Sequence, residues 1–219
     1  MPEWGVQVRR AAVGPFFKNG FVVACDQTRD GVLIDPGAEV ASLLAFADRE
    51  RITLRYILLT HAHIDHITGV GVARRRLGVP VCLHRDDLFL YDQAAEQGAM
   101  FGIPVDPLPP VDQFYTPGQV FTFGQVEARP HHTPGHCPGG VCLQIGPTGA
   151  TGQDLFVGDT LFAGSIGRTD LPGGDYATLI TSIKDVLFAF GDDARVYPGH
   201  GPMTTIGRER RTNPFLVTE

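Results

Sequence analysis

The chain has 219 residues, 43% of them hydrophobic and 19% charged, with a formal net charge of −6. That length suffices for one domain over residues 1–219 with a sizeable core, and an acidic balance with no basic tract argues against nucleic acid as a partner. No stretch reaches the roughly 18 apolar residues of a membrane span, and Met1-Pro2-Glu3-Trp4 offers no apolar leader, so a cytoplasmic protein without membrane association is expected.

From the N-terminus, Val6-Gln7-Val8, Phe21-Val22-Val23-Ala24 and Val32-Leu33-Ile34 read as strands separated by Gly- and Asp-containing turns. An antiparallel meander joins them most simply. Asp35-Pro36-Gly37 ends the third run, and residues 40–51 form an amphipathic helix with Leu43, Leu44 and Ala47 on one side. Residues 56–59 are apolar, continuous and too few for a helix, which predicts a buried strand.

That strand delivers His61-Ala62-His63-Ile64-Asp65-His66, the densest chemistry in the sequence. Side chains two apart on extended backbone point the same way, so His61 and His63 can converge on one point. Asp65 and His66, where the chain turns, can face a second. Imidazole with carboxylate suits zinc, iron(II) or manganese and is too nitrogen-rich for magnesium or calcium.

Beyond this loop, residues 69–77 carry Val70, Ala73 and Leu77 at helical spacing, with Arg74, Arg75 and Arg76 on a solvated face and Gly78 as the stop. Residues 79–83 return as a strand. His84, with no partner in sequence, reads as structural; residues 86–97 form a polar helical stretch, and the Pro-rich residues 103–110 form a loop. Residues 119–129 alternate around Gly124 like a hairpin.

Pro130-His131-His132-Thr133-Pro134-Gly135-His136 then leads into a strand over residues 139–145. The Pro134-Gly135 turn makes His136 the best ligand candidate, with His131 and His132 as supporting or surface residues. Leu155-Phe156-Val157-Gly158 ends on Asp159, which alone reads as a turn residue. An amphipathic helix over residues 176–190 and a strand over residues 194–197 end on Pro198-Gly199-His200. Strand ends thus supply His61, His63, Asp65, His66, His136, Asp159 and His200, too many for one four-coordinate metal and suited to two that share a carboxylate. The four cysteines, Cys25, Cys82, Cys137 and Cys142, show no C-x-x-C pairing and read as reduced thiols.

His61-Ala62-His63-Ile64-Asp65-His66, Thr133-Pro134-Gly135-His136, Gly158-Asp159-Thr160 and Tyr197-Pro198-Gly199-His200 resemble the motifs of the metallo-β-lactamase superfamily. Within it, residues 158–162 with Gly164-Ser165-Ile166-Gly167-Arg168-Thr169-Asp170, and the ending Asn213-Pro214-Phe215-Leu216, are similar to short hydroxyacylglutathione hydrolases (glyoxalase II). The resemblance implies an α/β fold, an αβ/βα four-layer sandwich of two mixed β-sheets flanked by helices, with the metals at one edge.

Carried over position by position, it implies that His61, His63 and His136 bind a first divalent ion and Asp65, His66 and His200 a second, with Asp159 bridging. Asp65 and Asp159 become the catalytic carboxylates. The ions would be zinc, with iron or manganese as alternatives. The reaction implied is hydrolysis of a small-molecule thioester such as S-lactoylglutathione by a metal-bridging hydroxide, with Arg168 holding the substrate.

Two departures stand out. The longer enzymes carry a C-terminal helical domain that helps hold glutathione, and tyrosines they use for it are replaced here by Asp170 and Pro202. The alternative on the same scaffold is a mononuclear iron persulfide dioxygenase, which shares the pattern His61, His136, Asp159 and a Gly-Arg-Thr-Asp segment; a lactone or phosphodiester hydrolase is a further one. His66 and His200 favour two metals.

Overall fold

The computed structural model describes residues 5–149 and 153–217. The expected meander forms from β1 (Val6–Val13), β2 (Lys18–Cys25) and β3 (Asp30–Ile34), paired antiparallel in chain order. After α1 (Val40–Arg49), β4 (Thr53–Leu58) lies parallel to β3. The histidine loop then winds into a single turn, α2 (Ile64–Ile67), and α3 (Val70–Leu77) follows, stopped by left-handed Gly78 at φ 68°. β5 (Val81–Leu83) joins β4 in parallel.

The polar stretch over residues 86–97 is not one helix. A 3₁₀ turn, Arg85–Asp87, is followed by α4 (Leu88–Asp92) and α5 (Ala94–Met100), parted at Gln93. The cause is tertiary: Asp87 is fully buried, and its carboxylate accepts from Ala62 N and Gly139 N. Those bonds fix the turn where a straight helix would carry Asp87 away. The Pro-rich loop has no regular structure, and β6 (Gln113–Phe114), which sequence reading missed, completes a six-stranded sheet in the order β1-β2-β3-β4-β5-β6.

The second sheet begins with the expected hairpin, β7 (Phe121–Phe123) and β8 (Val126–His132), turning at Gly124 with φ 66°. Here β8 runs further than expected: His131 and His132 pair with Cys142 and Val141 of β9 (Val141–Pro147) instead of preceding a strand. Next come β10 (Asp154–Gly158) and a small hairpin of β11 (Leu161–Phe162) and β12 (Ser165–Ile166).

The predicted helix over residues 176–190 keeps α geometry only in α6 (Tyr176–Thr181), and continues as a π turn and a 3₁₀ turn to Phe190. β13 (Arg195–Pro198) pairs parallel to β10, then β14 (Thr204–Thr205) and α7 (Ile206–Thr212) follow. The strand order is β14-β13-β10-β9-β8-β7.

Strand periodicity sorts the core into three layers. Phe21 and Val23 of β2 and Phe156 of β10 pack between the sheets with Leu58, Phe121, Leu143 and Tyr197. Their neighbours Val22 and Ala24 face α1 and α3 on one outer side, through Leu43, Leu44, Val70 and Ala73. Leu155 and Val157 face Leu179, Ile183 and Ile206 on the other. Helix, sheet, sheet, helix is the four-layer sandwich, and both sheets are mixed. Among the described residues no helix is long and apolar enough to cross a membrane.

Candidate metal centre

At the end of β4 the two sheets are tied together by Thr60. Its N–H donates to the Asp35 carboxylate at 2.7 Å, its hydroxyl to the same carboxylate at 2.6 Å, and its carbonyl accepts from Val141 N at 2.9 Å. His61, Ala62 and His63 therefore leave the first sheet directly against the second, which brings His136, Asp159 and His200. Asp35 itself has φ 47°, a conformation that Asp tolerates. Its loop is anchored by buried Lys18, which pairs with Glu39 at 2.7 Å and donates to the Asp35 carbonyl.

All seven residues expected from the sequence meet here. The ligand-capable atoms of His61, His63 and His136 lie within 4.8 Å of one another, as do those of His61, His66 and Asp159, and those of Asp65, His66 and His200. Asp159 spans the groups: Oδ2 is 3.6 Å from His136 Nε2 and 3.4 Å from His200 Nε2, and Oδ1 is 3.4 Å from His66 Nε2. Asp65 Oδ2 is 3.1 Å from His200 Nε2 and 3.8 Å from His66 Nε2. Such an approach needs Gly199, where a Cβ would sit 2.2 Å from Asp159 Oδ1.

The outward nitrogens fix the tautomers. His66 Nδ1 meets Asp35 at 3.0 Å, His136 Nδ1 donates to the Arg168 carbonyl at 2.7 Å, and His200 Nδ1 donates to the Phe16 carbonyl at 3.1 Å. Because the Thr60 hydroxyl proton is given to Asp35, its oxygen accepts from His61 Nδ1 at 3.1 Å. Four rings thus turn Nε2 toward the cluster, while His63 presents Nδ1, 2.8 Å from His136 Nε2.

His61 Nε2, His66 Nε2 and Asp159 Oδ1 are buried without a hydrogen-bond partner among the described residues. Each such atom costs about 1–3 kcal/mol. A cluster of inward lone pairs, backed in His61, His66, His136 and His200 by a bond on the other nitrogen, is the arrangement that a cation would repay.

The charges point the same way. Burial and the neighbouring imidazoles hold His61 well below the usual histidine range, and burial with His136 lowers His63 to about 3. For His66 burial opposes the charge, but Asp65, Asp159 and Asp35 outweigh it and raise the pKa to about 9. His200 is likewise opposed by burial and lifted to about 10 by Asp159 and Asp65. Asp159, despite burial, is drawn well below the carboxylate range by His66 and His200. Positive charge beside Asp65 and Asp159 is therefore what this pocket favours.

Sequence reading missed Asp35 and Asp87. Asp35 sits at a strand end before Pro36-Gly37, the one signal available for it; Asp87 lies inside a polar stretch with no pattern to mark it. Of the remaining candidates, His131 contacts Gln144 at 2.9 Å and His132 the Pro138 carbonyl at 2.8 Å, both outside the cluster. His84 stacks on His132 with centroids 4.2 Å apart. The Arg168 guanidinium, expected to hold substrate, donates two bonds of 2.7 Å to Asp170, while its carbonyl orients His136. A groove of about 270 Å³ opens beside the cluster, lined in part by Phe16, Leu90, Met100, Phe101 and Leu171.

Residues 13–200 match the model of the Metallo-beta-lactamase superfamily. The hydroxyacylglutathione hydrolase GloC of Haemophilus influenzae is 37% identical over 202 residues, which cover 91% of this chain and 93% of that protein. Among solved structures, the BLEG-1 B3 metallo-beta-lactamase superposes with a TM-score of 0.86 at 37% identity, covering 97% of this chain and all of that one (100%). TTHA1623, solved in a di-iron-bound form, superposes with a TM-score of 0.83 at 40% identity, covering 95% and 100%. With its sandwich and its cluster of histidines and aspartates at the sheet ends, this chain belongs to the metallo-beta-lactamase superfamily.

Proposed function

We propose that this protein is a metal-dependent hydrolase that cleaves a thioester. The observation that carries the reading is the set of inward-facing nitrogens and carboxylates, with the outward nitrogens of His61, His66, His136 and His200 already satisfied by Thr60, Asp35, Arg168 and Phe16. We assign His61, His63 and His136 to one divalent ion, Asp65, His66 and His200 to a second, and Asp159 to both. Zinc fits a nitrogen-rich donor set of this kind, and iron(II) and manganese share it; the di-iron relative makes iron the second metal to test.

Bound divalent ions supply ionised water near neutral pH and polarise a carbonyl. Asp65, which lines the groove, is the carboxylate we assign to take up the proton released when the carbonyl is attacked. A leaving thiolate needs no proton, since thiols ionise near pKa 8.5. Cys137, beside His136, is no rival nucleophile: burial and Asp87, which accepts from its thiol at 3.1 Å, keep it protonated well above the usual cysteine range. The name of the Haemophilus relative makes S-lactoylglutathione the first substrate to try.

The test is metal analysis of protein purified without chelator, together with hydrolysis of S-lactoylglutathione and simpler thioesters. About two metals per chain, with turnover lost on chelation and restored by metal, is the expected result. One iron, with oxygen consumed on glutathione persulfide, overturns the assignment.

A further inference from the structure

The groove beside the cluster carries information about the substrate arm that does not react. Its walls come from the hairpin tip at Phe16, from Leu90 of α4, from Met100 at the end of α5 and Phe101 just after it, and from Leu171-Pro172. Phe16 and Phe101 meet edge to face with centroids 5.4 Å apart. Met100 and Phe101 are 78% and 50% exposed, an unusual exposure for large apolar side chains unless something covers them.

Of the polar side chains of the groove outside the cluster, Gln97 and Arg168 are already engaged, and Gln93 is an uncharged amide. Gln97 gives its amide to the carbonyls of Ala62 and Leu90 and accepts from Ile64 N, so it braces the histidine loop and has no free donor for a ligand's carboxylate. Arg168 is held by both oxygens of Asp170. Besides His63, Asp65, His136, Asp159 and His200 of the cluster, the charged side chains among the described residues of the lining are Arg168, paired in this way, and Glu96, which repels anions. An anionic peptide such as glutathione would therefore find little to grip, whereas an apolar chain would bury exposed Met100 and Phe101.

We infer that, among thioesters, this site prefers those with an uncharged alkyl or aryl arm in the groove over those with an anionic peptide arm. The inference rests on the thioesterase reading above and narrows it. Burying one methylene is worth about a fourfold gain at most, so the preference should grow steadily with chain length until the groove is filled.

The experiment uses the metal-loaded protein and two homologous series. One varies the acyl chain from acetyl to octanoyl on N-acetylcysteamine; the other varies the thiol from methyl to octyl under a fixed acetyl group. In one of the series, kcat/KM should rise about two- to fourfold per added methylene and pass that for S-lactoylglutathione. In Met100→Gln and Phe101→Ala, with metal content and thermal unfolding checked, the slope against chain length should flatten.

A flat profile in both series, or a standing preference for S-lactoylglutathione, overturns the inference while leaving the hydrolase reading intact. A slope unchanged in both variants also overturns it, since the chain then lies elsewhere. Absence of turnover on any thioester removes the thioesterase reading and this inference with it.

Discussion

Replacing Asp35 by Asn tests how far the proposed second metal position depends on a residue that faces away from it. Asn keeps the shape of Asp and tolerates the φ of 47° at this position, so backbone strain is not added. It has one acceptor oxygen where the carboxylate has two. In the native arrangement Oδ1 accepts from Thr60 N at 2.7 Å, and Oδ2 accepts from the Thr60 hydroxyl at 2.6 Å and His66 Nδ1 at 3.0 Å.

If the Asn oxygen keeps Thr60 N, its amide group meets His66 Nδ1–H, donor against donor. His66 can relieve this by moving its proton to Nε2, the atom that faces Asp159 at 3.4 Å. The lone pair assigned above to the second ion is then gone. If the amide flips instead, the backbone N–H of Thr60 is orphaned. Losing one charge-assisted bond costs about 1.5–3 kcal/mol, which corresponds to roughly 10- to 150-fold in a binding constant. Chelator-competition titration of both metal equivalents, paired with thermal unfolding of the metal-free protein, reads the two cases apart. Unchanged affinity for the second ion together with unchanged stability would mean that Asp35 does not set the His66 tautomer.

Asp159→Ala should weaken both metal equivalents, since Asp159 lies within 3.6 Å of His136 on one side and 3.4 Å of His66 and His200 on the other; loss confined to one equivalent in a titration would contradict a shared carboxylate. Metal uptake should release protons unequally at pH 7.5. His61 and His63 are held neutral there, whereas His66 and His200, raised to about 9 and about 10, are protonated and must give up their protons to bind. A pH-stat titration should therefore show more protons released with the second equivalent than with the first, and equal release at each step would count against the assignment. Arg168→Ala, which keeps the carbonyl that orients His136, should leave metal content intact and raise KM for S-lactoylglutathione by less than about threefold, far below the cost of a direct charge-assisted contact. A rise on the order of tenfold or more would mean that Arg168 leaves Asp170 to hold the substrate.

Local pattern made the layered fold and the metal-capable residues readable. Phe21 to Ala24 and Leu155 to Val157 alternate between two apolar faces, and His61 and His63 sit two apart after a buried run, so strand geometry alone directs them to one side. What escaped were features decided by distant contacts. Nothing near Asp87 in sequence announces that its carboxylate will bind Ala62 and Gly139, 25 and 52 residues away, and so break the helix expected there. The two-residue strands β6, β11, β12 and β14 are too short to show any period. Arg168 and Asp170 are two apart in a loop, a spacing that suits an ion pair as well as a substrate contact; the structure pairs them.

If seven side chains hold two ions with Asp159 between them, locating the ions will show it. Crystals of protein purified without chelator, measured on both sides of the zinc and iron absorption edges, would give anomalous peaks that place and identify each metal. Two peaks about 3.5–4 Å apart are expected, one among His61, His63 and His136 and the other among Asp65, His66 and His200, with Asp159 reaching both. A single iron peak held by His61, His136 and Asp159, with His66 and His200 turned away, would contradict it.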